Sequence, residues 1–239
     1  MVEFLRSTES SIGRPSAILV VSAHWECPQP TITSGPSPGL IYDYGGFPEE
    51  AYRLEYPAPG APELAGKIAE LLTDAAFEPQ LDPNRGFDHG VFIPLKLMYP
   101  DATIPVIQLS MLSSLDPAAH IAIGAALGSL AYDDVLVLGS GFTFHNMNAF
   151  GLTDRGTGGD PENEAFEDWL ADTCTNADIS EAERTQRLID WADAPGARWC
   201  HPREEHLLPV HVCYGAGRGP GRRVFDDLVL NKRASGYAW

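Results

Sequence analysis

The sequence predicts an α/β fold: a single domain with a central, largely parallel, mixed sheet flanked by helices. Three observations carry that expectation. The run Ala17-Ile-Leu-Val-Val-Ser-Ala-His24-Trp25 is continuously apolar and β-branched before it turns polar, as suits a strand buried on both faces. A second copy of this arrangement stands at Val135-Leu-Val-Leu-Gly-Ser-Gly-Phe-Thr-Phe-His145-Asn146. Between and after these runs, strand patterns alternate with helical ones, the signature of a parallel sheet with helical crossovers. In such sheets ligands bind beyond the carboxyl ends of the strands, where His24 and His145 fall.

The 239 residues are 44% hydrophobic, enough for a substantial core in one domain of residues 1–239. No Gly/Ser-rich or charge-rich linker divides them. Sixteen Lys and Arg against 33 Asp and Glu give a formal charge of −17. A field of that sign repels nucleic acid and anionic membrane surfaces, so neither is expected as a partner. The cysteines, Cys27, Cys174, Cys200 and Cys213, form no CxxC pair, which argues against a zinc ribbon or a redox pair. Scattered thiols fit a reducing compartment. With no apolar leader core and no run near the ~20 residues of a membrane span, a cytoplasmic protein is expected.

Taken in order, Phe4 and Leu5 read as the end of a helix, and Ser11-Ile-Gly-Arg-Pro15 as a turn into the first strand. Residues 26–60 are rich in Pro and Gly, with a short edge strand expected at Thr31-Ile-Thr. Tyr42, Tyr44, Phe47, Tyr52 and Tyr56 argue that this long loop is ordered, because so much aromatic surface seeks burial. Pro62 opens a helix with Leu64, Ile68, Leu71 and Leu72 on one face. Gly86-Phe-Asp-His89-Gly90 is a polar turn, and residues 104–109 form a second buried strand. Asp116-Pro117 caps a helix to about residue 130, on which His120 reads as a surface or boundary residue. Asp160-Pro161 starts another helix, and Ser180 with Glu183 makes a capping box for one through residue 191. An apolar helix follows over 207–214, then a Gly/Arg-rich turn and a strand over 224–230.

Seven histidines are present, and His24, His89, His145 and His206 each sit at an element end beside small or polar residues. Imidazole binds zinc and iron and titrates near neutral pH. Any one of them alone reads more readily as a hydrogen-bonded boundary residue; four with the same placement point to a shared metal or acid–base site. A zinc-peptidase motif is excluded by spacing. In His201-Pro-Arg-Glu-Glu-His206 the histidines stand five apart, whereas residues sharing a helix face stand four apart. Gly139-Ser-Gly-Phe is not a nucleophile elbow, and no phosphate loop or dinucleotide fingerprint follows the first strand.

The runs Ser22-Ala-His-Trp-Glu26, Tyr42-Asp-Tyr-Gly-Gly-Phe-Pro48, Tyr56-Pro-Ala-Pro-Gly60, Gly86-Phe-Asp-His-Gly90, Met98-Tyr-Pro100, Ile104-Pro-Val-Ile-Gln-Leu-Ser110, Gly139-Ser-Gly141, His145-Asn146 and Glu205-His-Leu-Leu-Pro209 resemble the class III extradiol ring-cleaving dioxygenases, nearest the DOPA 4,5-dioxygenase-like branch. They fall in the same order over residues 14–215. The resemblance implies a non-haem Fe(II) site, which Zn(II) can also fill, opening a small catechol with O2. It implies His24 and His206 as metal ligands, His145 as the acid–base histidine, and His89 as a histidine lining the substrate pocket. The chemistry of the residues agrees: a catechol must lose protons to chelate, which calls for a base of histidine type. The loop aromatics suit a flat ring.

The chain departs from the family pattern in one respect. The family carries a first metal histidine on a strand some thirty residues before the Ser-Ala-His-Trp motif; here 23 residues precede His24 and none is histidine. The departure predicts weak metal binding, and it makes a catalytically impaired or non-enzymatic metal-binding relative the alternative. Glu204 or Glu205 could substitute as a ligand, although the preferred reading of both is as solvated first-turn acids of the following helix.

Overall fold

The computed structural model describes residues 1–150 and 160–239. Helix α1 (Val2–Ile12) leads into β1 (Ala17–Cys27), an inner strand of a five-stranded sheet completed by β2 (Thr31–Thr33), β3 (Gln80–Asp82), β4 (Val106–Leu112) and β5 (Val135–Ser140). The strand order is β3-β2-β4-β1-β5. β1 runs parallel to both neighbours, and only the single β2–β4 bridge is antiparallel, so the sheet is mixed but largely parallel.

The apolar run that defines β1 is buried on both faces, as its pattern predicts. Leu19 and Val21 join one core with Ile68 and Leu72 of α2 (Pro62–Asp74), Ile123 and Leu127 of α4 (Pro117–Leu127), and Val212 of α8 (Leu208–Gly217). Ile18 and Val20 join the opposite core with Val91, Phe92 and Leu95 of α3 (His89–Met98) and with Tyr56 and Ala58 of the long loop. Each fully buried side chain of this kind contributes about 1.5–3 kcal/mol of transfer free energy. α4 and α8 touch backbone to backbone: a Cβ on Gly124 would lie 2.0 Å from the Val212 carbonyl oxygen.

A third cluster joins Phe166, Leu170 and Cys174 of α5 (Pro161–Thr175), Leu188 of α6 (Glu181–Ile189) and Cys200 of α7 (Ala197–Cys200) around Trp191, Phe144 and Leu207. It buttresses the segment that follows β5. The chain ends in an antiparallel hairpin, β6 (Arg222–Val229) with β7 (Lys232–Ala238), separate from the main sheet.

Helix starts follow the predicted caps. Asp116 accepts from the Ala118 N–H, Asp160 from Asn163 and Ser180 from Glu183, with proline in the first turn after the two aspartates.

Four local expectations change. Thr31–Thr33 lies inside the sheet, because the unanticipated β3 pairs outside it. Residues 128 and 191 fall in short 3₁₀ turns beyond the ends of α4 and α6. The expected strand over 224–230 acquires a partner, β7, that the sequence reading did not assign. His120 is fully buried, not at the surface. Its Nδ1 donates to the Asp116 carbonyl at 2.7 Å and its Nε2 accepts from the Leu112 N–H at 3.1 Å, so the ring fastens α4 to the end of β4.

Candidate functional site

His24 lies within β1, not past its end. The pairing with β5 stops at Ser22 and Ser140, and the register with β4 breaks between Val21 and Glu26. That irregular stretch carries His24 at the carboxyl edge of the sheet. Ser22 fixes it from below: its hydroxyl accepts from the His24 N–H at 3.2 Å and donates to Asp88 Oδ1 at 2.8 Å. Asp88 is fully buried, and it also accepts from Gln108 of β4 and from Arg85 at 3.3 Å. The residue after Asp88 is His89, the first of α3, so one buried carboxylate ties β1, β4 and α3 together beneath two histidines.

Gly90 permits that junction. A Cβ there would lie 2.3 Å from Ser22 Oγ and 3.1 Å from His24 Cδ2. The rings of His24 and His89 stand 4.0 Å apart, centroid to centroid. Asp43, from the long loop, reaches both. Its Oδ1 accepts from the His89 N–H at 3.0 Å and lies 2.8 Å from His89 Nδ1, and its Oδ2 lies 3.8 Å from His24 Nδ1. The loop is ordered by its own hydroxyls: Tyr42 donates to the Leu54 carbonyl at 2.6 Å and Tyr44 to that of Ala51 at 2.5 Å. Tyr44 stands edge-on to His89 at 5.6 Å, with Phe47 and Tyr52 each 5.4 Å beyond. Phe47 is 60% exposed.

The other half of the site comes from the segment after β5 and the turn before α8. The glycines of Gly139-Ser-Gly141 exist for close approach. A Cβ on Gly141 would lie 2.2 Å from the His206 carbonyl oxygen, and one on Gly139 would lie 2.8 Å from that of Pro209. The Phe142 N–H donates to the His206 carbonyl and the His145 N–H to that of Cys200, each at 2.9 Å. Asn146 Nδ2 donates to the Trp199 carbonyl at 2.8 Å. So held, the rings of His145 and His206 stack at 3.3 Å, and His206 stands 5.0 Å from His24.

The four expected site histidines, His24, His89, His145 and His206, therefore gather in one place. The remaining three are structural. His201 is buried and donates from Nε2 to the Thr143 carbonyl at 2.8 Å; His211 is buried and donates to that of Leu188 at 2.8 Å; His120 ties α4 to β4.

Glu205 overturns the expectation of a solvated acid. α8 begins at Leu208, so Glu205 stands in the preceding turn with its side chain 14% exposed. Its Oε1 lies 3.1 Å from His206 Nδ1 and 3.4 Å from His145 Nδ1. Arg203 covers it from outside at 3.3 Å while gripping both oxygens of Glu26 at 2.6 Å. Against burial, which would raise it, hydrogen bonding to His206 and the Arg203 charge hold the Glu205 carboxyl down to about 2. Asp43 is likewise held below the usual carboxylate range: burial opposes this, and the backbone and ring N–H of His89 outweigh it. Burial and neighbouring imidazoles push His24 and His145 down to about 4. Both rings are neutral at neutral pH, the form that binds a metal or accepts a proton.

These donors suit a divalent transition metal. His24, Asp43 and His89 offer three ligand atoms within 4.8 Å of one another, and so do His145, Glu205 and His206. Imidazole with carboxylate is the donor chemistry of non-haem iron and of zinc. Sequence reasoning missed Asp43 and misjudged Glu205. The signal for Asp43 was its place between Tyr42 and Tyr44; for Glu205, it was direct adjacency to a predicted ligand.

The model of the family described as the catalytic LigB subunit of aromatic ring-opening dioxygenase matches residues 3–234. The chain belongs to this family of ring-opening dioxygenases. It is 42% identical over 232 residues to the 4,5-DOPA dioxygenase extradiol of Beta vulgaris, covering 96% of this chain and 83% of that protein. It is 39% identical over 227 residues to the protein of the same name from Portulaca grandiflora, covering 94% and 81%. The crystal structure of an uncharacterised protein from Escherichia coli K12 superposes with a TM-score of 0.81 at 30% identity, covering 98% of this chain and 89% of that one. No helix among the described residues is long and apolar enough to cross a membrane.

Proposed function

We propose that the protein is a non-haem metal-dependent extradiol dioxygenase that opens the ring of a small, DOPA-like catechol with O2. The observation that carries this reading is the meeting of His24, His89, His145 and His206, drawn from four distant stretches, at one sheet edge beside an aromatic wall. The names of the relatives support the substrate class.

His24 and His206 hold the metal in this reading, Fe(II) or Zn(II). When bound, Fe(II) supplies the redox chemistry through which dioxygen reacts with the diol. The protein's own residues do the rest. His145, neutral and half-buried, takes a proton from a catechol hydroxyl as the diol binds. His89 lines the ring pocket with its Nδ1 turned to Asp43. Tyr44, Phe47 and Tyr52 provide the apolar face for the ring and limit water. Insertion of oxygen next to the diol yields a ring-opened semialdehyde. The cytoplasmic assignment rests on four unpaired thiols, of which Cys174 and Cys200 are buried.

The alternative is a catalytically impaired or non-enzymatic metal-binding relative of the same fold. One experiment separates the two. Fe(II) and L-DOPA are added anaerobically, oxygen is admitted, and the visible spectrum is followed. The dioxygenase reading expects a yellow ring-fission product and consumption of one O2 per catechol; bound iron with neither supports the impaired relative.

A further inference from the structure

We infer that Asp43 and Glu205 are paired positioning residues, each aiming two histidines at a common centre by engaging their Nδ1 atoms. This rests on the metal reading above. Asp43 lies 2.8 Å from Nδ1 of His89 and 3.8 Å from Nδ1 of His24. Glu205 lies 3.1 Å from Nδ1 of His206 and 3.4 Å from Nδ1 of His145. The two halves of the site share one device, although their segments are distant in the sequence.

The chemical consequence follows from the two nitrogens of imidazole. A carboxylate facing Nδ1 favours the tautomer protonated there and leaves Nε2 with its lone pair free. His89 and His206, hydrogen-bonded in this way, keep Nε2 free as an acceptor, and the same two carboxylates stand 3.8 Å from Nδ1 of His24 and 3.4 Å from Nδ1 of His145. Both carboxylates are themselves anchored. Asp43 accepts the backbone N–H of His89 at 3.0 Å, and Glu205 is covered by Arg203 at 3.3 Å. Glu205 is largely shielded, its side chain 14% exposed, while Asp43 stands at the rim of the site with its side chain 23% exposed.

The arrangement also divides the labour. Asp43 belongs to the loop that carries Tyr42 and Tyr44, so it couples the aromatic wall to His24 and His89. Glu205 couples the metal histidine His206 to the proton-accepting His145. Loss of Asp43 therefore acts on substrate binding and metal retention, and loss of Glu205 on turnover and metal retention.

The test uses the full chain with Co(II) as the probe metal, its affinity read from the visible absorption of the bound ion. His24→Ala serves as a ligand control. Asp43→Ala and Glu205→Ala are each expected to weaken Co(II) binding 10–100-fold with the thermal midpoint unchanged, and Asp43→Asn and Glu205→Gln are expected to recover part of the loss. In steady-state assays with Fe(II), the Asp43 variants should raise KM more than they lower kcat, and the Glu205 variants the reverse. The inference is overturned if Co(II) affinity is unaltered in both alanine variants while His24→Ala abolishes it. It is also overturned if affinity falls only in step with thermal stability. A wild-type chain that binds no Co(II) sinks the metal reading itself, a distinguishable result.

Discussion

The hydroxyl of Ser22 and the carboxylate of Asp88 meet at 2.8 Å in the buried junction between β1 and α3. Their contact sets the distance between His24, two residues beyond Ser22, and His89, one beyond Asp88. Gly90 is pressed against the same hydroxyl, leaving no room for a methyl group. Gly90→Ala is therefore expected to cost about 1–3 kcal/mol by overpacking and to disturb the His24–His89 spacing. Urea unfolding of the variant beside wild type measures the first effect; a stability within experimental error of wild type would show that the junction yields freely.

Asp88→Ala tests the same junction from the charge side. It strands the guanidinium of Arg85 and the amide of Gln108. Breaking a buried pair costs about 3–5 kcal/mol; with Arg85 partly exposed, the lower end is expected. Asp88→Asn, which keeps an acceptor, should cost less. Equal midpoints for the two variants would show that the acceptor contributes nothing and would leave the lost charge as the cause.

His145→Ala is expected to lower kcat by about 10²–10⁴, the usual worth of a positioned base, while leaving the iron content of the purified protein at the wild-type level. Oxygen consumption and metal analysis on one preparation check both halves. Full turnover in the variant would transfer the proton to another group.

Glu167 of α5 gives a pH prediction. It is fully buried, with Ser235 donating to one carboxylate oxygen, and burial pushes it up to about 7 despite that bond and the nearby Arg233. A carboxyl raised in the folded state favours folding while protonated. Its contribution is complete below the unfolded value near 4.5 and is lost as pH rises toward 7. The span corresponds to about 3 kcal/mol. Other groups titrate in the opposite sense: His201 and His211, held neutral by burial at about 3 and about 4, lose stability as pH falls below 6.5. The measurement is therefore a difference. The stability of Glu167→Gln relative to wild type should rise between pH 5 and pH 8, and a constant difference would show that Glu167 does not titrate there.

Much of this was legible in the chain because it was written in long, unambiguous patterns. The apolar run of β1 admitted only a strand buried on both faces, and the Asp-Pro and Ser-x-x-Glu starts fixed three helices. The four site histidines stood out by shared placement at element ends. What escaped depends on contacts between distant segments. His120 looks like any helix histidine until Leu112 supplies an N–H partner for it. β3 is too short and polar to announce itself, and β7 has meaning only once β6 turns back on it. Glu205 looked solvated because it was read as a first-turn acid of the following helix; the start at Leu208 leaves the carboxylate in the preceding turn, facing two rings.

The four imidazoles reach their meeting point from β1, from the start of α3, from the segment after β5 and from the turn before α8. No sheet layer or helix pair owns the centre, so loosening any one of these segments dismantles it. In the proposed reading a cation held by His24 and His206 would bridge β1 and the turn before α8, and it would have no comparable home in the unfolded chain. Occupancy and folding then become a single equilibrium, in which a hundredfold excess of metal over its dissociation constant adds about 2.7 kcal/mol to the lifetime-setting stability of the whole molecule.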